Sequence, residues 1–92
     1  MKIIIAGAGE VGTHLAKLLS REEQDIILID NDEEKLRELD ANYNLMTVIG
    51  NPTAFQTLKQ AQVYKADLFI AVMPFESRNI MACTMASKLG AK

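Results

Sequence analysis

Ile3-Ile4-Ile5-Ala6-Gly7-Ala8-Gly9-Glu10-Val11-Gly12 is an apolar run that ends in G-x-G-x-x-G, with a helical pattern directly behind it. The spacing gives each glycine a separate job. Gly7 lets the chain turn sharply out of the strand. Gly9 removes a side chain where backbone must approach a pyrophosphate, and Gly12 lets the helix pack close on the sheet. The helix that starts here aims its free N–H groups and positive dipole end at the phosphates. Working outward, a second apolar run, Ile26-Ile27-Leu28-Ile29, ends in Asp30, eighteen residues after Gly12. A carboxylate there accepts hydrogen bonds from both hydroxyls of an adenosine ribose. A glycine turn alone is a weak signal, and a tight turn with an incidental acid is the plainer alternative. The strand before, the helix after and the acid at this distance together favour a nucleotide site.

Composition sets the bounds around that turn. At 92 residues the chain makes one small domain, large enough to bury a sheet with helices. It is 49% apolar with few aromatics and no tryptophan, which suits aliphatic α/β packing better than a sandwich. A net charge of −2 without a basic block argues against nucleic acid as a partner. No apolar run approaches the ~20 residues needed to cross a bilayer, so direct membrane insertion is not expected. Met1-Lys2 leads straight into a strand, which is not a signal-peptide pattern. Cys83 is the single cysteine, so no internal disulfide forms, and a reducing cytoplasm fits.

Taken in order, the periodicity predicts a first helix from about Val11 to Ser20, with Val11, Leu15, Leu18 and Leu19 as the stripe facing the sheet. Lys17 and Arg21 face away from it. His14, the only histidine, reads as a surface residue without partners. After Asp30, Asn31 or Asp32 caps a second helix with Glu33 and Glu34 in its first turn, Leu36 and Leu39 inside, and a Glu33–Arg37 pair outside. Those acids read as capping groups rather than metal ligands, since no histidine or cysteine stands near them. Leu45 to Ile49 is a third strand. Gly50-Asn51-Pro52-Thr53 follows at the rim where an adenine ring sits in such folds. A third helix through Phe55, Leu58 and Ala61 is capped either by Thr53 with Gln56 or by Asn51 with Pro52. Leu68 to Val72 is the fourth strand, followed by a Met73-Pro74-Phe75-Glu76 loop. A last helix spans about Ser77 to Leu89, with Gly90 as its cap. Its stripe is Met81, Met85 and Leu89, with Ile80 and Thr84 beside it. Cys83 reads as a small packing residue and the methionines as core filler.

Strand and helix alternating four times with short loops implies an α/β, Rossmann-like, doubly wound parallel sheet with right-handed crossovers. A nucleotide turn after the first strand sets the order 3-2-1-4, with the ligand across the carboxyl ends between the first turn and the Met73-Pro74 loop. Such a fold usually has six strands, so residues 1–92 are expected to be one nucleotide-binding domain, the N-terminal fragment of a longer protein truncated before strand five. Strand four would then be an uncovered edge that recruits another chain.

The ordered set MKIIIAGAGEVG, ILIDNDEEKLREL, VIGN and ADLFIAV with an Asn79-containing helix resembles, over the whole chain, the N-terminal domain of Trk potassium-uptake regulatory subunits, also called RCK, KTN or TrkA-N domains. The resemblance implies a cytoplasmic regulatory domain, peripheral to the inner face of the membrane. It would control a membrane-embedded potassium transporter subunit through bound NAD(H), or alternatively ATP or ADP. By motif position Gly7, Ala8, Gly9, Glu10 and Val11 would hold the pyrophosphate, Asp30 the adenosine ribose, and Met73 and Pro74 the far side of the ligand. Asn51 lies on the adenine rim. The family commonly carries Thr, Asn, Ser and Asp where this chain has Met73-Pro74-Phe75-Glu76, so contacts there would be apolar or through backbone. Many triphosphate binders carry Arg where Glu10 stands, and a carboxylate there would repel a γ-phosphate, which favours NAD(H).

The competing reading is the cofactor half of an NAD-dependent dehydrogenase, because the glycine turn is shared. No Lys–His or Ser–Tyr acid–base constellation accompanies it, and a regulatory module without chemistry is the expectation. Ile80, Met81, Met85 and Leu89 offer more apolar surface than one sheet face covers, so self-association, as a homodimer or higher, is expected through the last helix or the strand-four edge.

Overall fold

The computed structural model describes residues 1–22 and 24–91. Four strands, β1 (Lys2–Ala6), β2 (Asp25–Asp30), β3 (Met46–Ile49) and β4 (Leu68–Ala71), form one sheet in the order β3-β2-β1-β4. Every pairing is parallel, with Ile4 opposite Ile27 on one side and Phe69 on the other, and Asp30 opposite Ile49. The helices are α1 (Glu10–Ser20), α2 (Glu33–Asn42), α3 (Phe55–Gln60) and α4 (Glu76–Lys88), with a short 3-10 turn at Val63–Lys65 before β4. The expected fold class and strand order are both present.

Between their terminal residues the central strands are apolar because both of their faces are covered. Ile3, Ile5, Ile26 and Leu28 pack under α1 and α2 with Ala16, Leu36 and Leu39. Ile4, Ile27 and Ile29 point to the other face, onto Leu58, Ala61, Val63, Ala66 and Ala86. Ile4, Ile5, Leu28 and Ile29 are fully buried. Each contributes roughly 1.5–3 kcal/mol relative to an exposed side chain.

Several local expectations need correction, and most share one cause. The face of α1 on the sheet is Gly12 and Ala16, flanked by half-buried Leu15 and Leu19, whereas Val11 and Leu18 point outward at 59% and 46% exposure. The face of α4 is Ala82 and Ala86, with Met85 and Leu89 half-buried beside them. Ile80 and Met81 are 62% and 53% exposed. Closest approach to a sheet selects small side chains, so the large apolar residues are pushed to the flanks or off the face. Cys83 is exposed on α4 rather than packed. Met1, Met46 and Met81 are likewise exposed, so they are not core filler, whereas Met85 packs against the core. The α3 boundary also differs. Its N-cap is Ala54, without a side-chain cap, because Asn51 Oδ1 is taken by the Thr53 N–H at 2.9 Å and Thr53 Oγ1 at 2.7 Å in a local turn. Asp32 is the cap of α2, accepting from the Lys35 N–H at 3.2 Å, and Glu33 meets Arg37 at 2.8 Å as expected.

Candidate functional site

The first turn is built almost wholly of backbone. Gly7 has φ +114°, a conformation open to glycine, and its N–H donates to the Ile29 carbonyl at 2.8 Å. An added Cβ at Gly12 would run into the Gly7 carbonyl oxygen and come within 3.1 Å of Val72 Cγ2. The fold itself therefore demands glycine at 7 and 12. It makes no such demand at 9, where φ is −74° and an added Cβ would meet no heavy atom within 4 Å. Gly9 is the N-cap of α1 and carries no capping side chain. The helix opens with N–H groups that have no intrahelical acceptor, since the first bond back is from the Thr13 N–H to the Gly9 carbonyl at 2.9 Å. These donors and the open space before Gly9 form an anion-accepting corner.

Asp30 closes β2 beside that corner. Its Oδ2 accepts the Ala8 N–H at 2.7 Å and its Oδ1 accepts the Asp32 N–H at 2.9 Å. The carboxylate thereby ties the glycine turn to the start of α2. A carboxylate offers about four acceptor positions, so each oxygen keeps room for one more donor. Two vicinal hydroxyls match what remains.

The third wall comes from the β4–α4 loop. Asn79 holds it by two hydrogen bonds to one residue, its Oδ1 accepting the Met73 N–H at 2.7 Å and its Nδ2 donating to the Met73 carbonyl at 3.0 Å. The Met73 N–H is engaged in this way, and its carbonyl has one of its two acceptor positions filled. With the N–H engaged, Met73 has its side chain and one carbonyl lone pair left to offer. Beyond it the Arg78 guanidinium lies over the Phe75 ring, 4.8 Å from its centroid.

These walls enclose a cleft of about 480 Å3 at the carboxyl ends of the strands. Of the residues named from sequence, Gly7, Ala8, Gly9, Asp30, Asn51, Met73 and Pro74 all line it. Glu10 and Val11 do not. They line an adjoining, more open groove of about 810 Å3 along α1, with His14 and Lys17, which shares Gly9 and Lys35 with the cleft. Only their N–H groups belong to the turn. Lys35 and Arg78 line the cleft and were missed from sequence, because nothing in the spacing of a lysine on α2 or an arginine on α4 marks them. Among the described residues, the only ion pair is Arg37–Glu33, so neither cleft cation is neutralised by a partner. No group of three or more potential metal ligands occurs among the described residues. None of their helices is long and apolar enough to cross a membrane.

Comparison with known proteins places this geometry. The TrkA-N domain family model matches residues 3–92. The Trk system potassium uptake protein TrkA of Halomonas elongata is 45% identical over 89 residues, covering 97% of this chain and 20% of that protein. The TrkA homolog of Pyrococcus abyssi is 35% identical over 92 residues, covering all of this chain and 40% of that one. The chain thus spans a fifth to two fifths of the length of these relatives. Among solved structures, Shewanella denitrificans Kef CTD in AMP-bound form superposes with a TM-score of 0.78 at 19% identity, covering 96% of this chain and 52% of that one. ChuY, an anaerobillin reductase from Escherichia coli O157:H7, gives 0.79 at 17% identity, covering 100% and 48%. At such identities the structural likenesses show the fold alone. The match across nearly the whole length, carried on a Rossmann-like sheet with its glycine turn intact, shows that the chain belongs to the TrkA-N domain family.

Proposed function

We propose that this chain is a nucleotide-sensing regulatory domain of a potassium-uptake system and that it takes NAD(H) in the cleft. The observation that carries the reading is Asp30, which keeps an acceptor position free on each oxygen beside the open corner at Gly9. The adenosine ribose sits on Asp30, the adenine lies towards Asn51, the pyrophosphate meets the N–H groups of Gly9 to Val11, and the far end of the ligand reaches Met73 and Pro74. The names of the relatives support potassium uptake, and the AMP bound by the Kef domain supports an adenine nucleotide. Binding without chemistry is the role we propose, in keeping with relatives named as potassium uptake proteins. The partner is a membrane-embedded potassium transporter subunit on whose cytoplasmic side the domain acts, and the domain self-associates through the exposed Ile80–Met81 face of α4.

ATP or ADP is the second reading, and one observation favours it: Glu10 lines the adjoining groove rather than the cleft itself, which weakens the opposition of its charge to a γ-phosphate. Calorimetry with NADH, NADPH, ADP and ATP tests both. Asp30 accepts hydroxyls and repels a 2′-phosphate, so NADH binds at least about tenfold tighter than NADPH. Equal affinity for the two would remove Asp30 from the ribose site.

A further inference from the structure

We propose that Arg78 is a side-chain partner of the second phosphate of the nucleotide, the one beyond the phosphate attached to the adenosine ribose, adding to the N–H groups of the glycine turn. This rests on the placement of the ribose at Asp30 and names what the other end of the cleft recognises.

The strand order carries the argument. Asp30 ends β2, the glycine turn follows β1, and Arg78 stands in the first turn of α4, just past β4. β1 lies between β2 and β4 and is hydrogen-bonded to both, and the Val72 N–H continues the pairing by donating to the Ala6 carbonyl at 2.9 Å. Adjacent strands lie about 4.8 Å apart, so the path from the Asp30 side to the β4 side is about 10 Å. A ligand with its ribose over β2 and its first phosphate over the β1 turn must send its next phosphate towards β4. Arg78 is the cation of the cleft on that side, whereas Lys35 stands on α2, on the Asp30 side.

Arg78 is also prepared for the task. Stacking on Phe75 occupies a face of the guanidinium and leaves its edge N–H donors free, and among the described residues no carboxylate or other acceptor takes them. Its neighbour Asn79 fixes the loop through the two bonds to Met73, so the chain that carries Arg78 is held in place. A planar fork ordered in this way suits an anionic phosphate group better than a neutral hydroxyl. The recognised chemistry is a second phosphate, which ADP and NADH both present and AMP lacks.

Calorimetry on the whole chain with AMP, ADP and NADH tests the assignment. In Arg78→Gln, ADP and NADH affinity falls about tenfold or more while AMP affinity changes less than twofold. Arg78→Lys restores part of the loss. Lys35→Gln serves as the control and weakens all three ligands alike. A loss confined to ADP identifies the free nucleotide as the ligand whose second phosphate is read, and a loss shared with NADH extends it to the dinucleotide; either supports the assignment. An equal loss for AMP, ADP and NADH in Arg78→Gln, matching Lys35→Gln, would show a general charge effect and overturn it, as would no loss at all. Failure of the wild type to bind AMP would instead strike the placement of the ribose.

Discussion

The two walls of the cleft are made in opposite ways. At the β1–α1 turn the chemistry is backbone: no side chain caps α1, and the open N–H groups face a space that Gly9 leaves clear. At the β4–α4 loop Asn79 engages the Met73 N–H and carbonyl, and the cleft is lined by Met73, Pro74, Phe75 and Arg78. A glycine motif therefore tells where phosphate donors are and says little about the opposite wall. The backbone wall is shared by many nucleotide folds, while the side-chain wall is free to set which nucleotide enters.

The largest expected effect falls on the backbone wall. Gly12→Ala drives a methyl into the Gly7 carbonyl and Val72, and with no flexible neighbour to yield it costs about 3 kcal/mol of stability by denaturant unfolding. A cost below ~1 kcal/mol would mean the helix sits looser on the sheet than described. Asp30→Ala comes next. It leaves the buried Ala8 N–H without an acceptor, so stability falls by about 1–3 kcal/mol, and NADH binding weakens by a similar free energy from the unpaired ribose hydroxyls. Retained NADH affinity in a folded variant would separate the tie to Ala8 from ligand binding.

On the side-chain wall the costs are smaller. Asn79→Ala frees a half-buried Met73 N–H and carbonyl, and about 1–2 kcal/mol of stability is lost. An unchanged midpoint would show that the loop is held by something other than this clamp. Met81→Glu sits on the outer face of α4 and changes monomer stability by less than ~0.5 kcal/mol, yet lowers self-association in sedimentation across a concentration series. Met81 is a sharper probe than Met85, which packs against the core. A wild type that stays monomeric throughout would sink the dimer.

The sheet was legible because four aliphatic runs each end in turn-forming residues, and the turn glycines were legible because backbone geometry leaves a fixed spacing. The helix faces were not. Scoring by hydrophobicity picks Leu18, Val11 and Met81, whereas close packing picks by size and seats Gly12, Ala16, Ala82 and Ala86. Glu10 sits at the right place in the motif, but the direction of a first-turn side chain depends on how the helix leaves the sheet, which spacing does not encode. Arg78 and Lys35 enter the cleft only once α4 and α2 are placed in space.

The central claim, that the corner before Gly9 is kept empty for phosphate, is tested most directly by NADH calorimetry on Gly9→Val. The fold has room for the valine and its backbone angle is ordinary, so circular dichroism stays native and stability changes by less than ~1 kcal/mol. The account predicts that binding is abolished in that folded protein. A native Gly9→Val that binds NADH as the wild type does would contradict it.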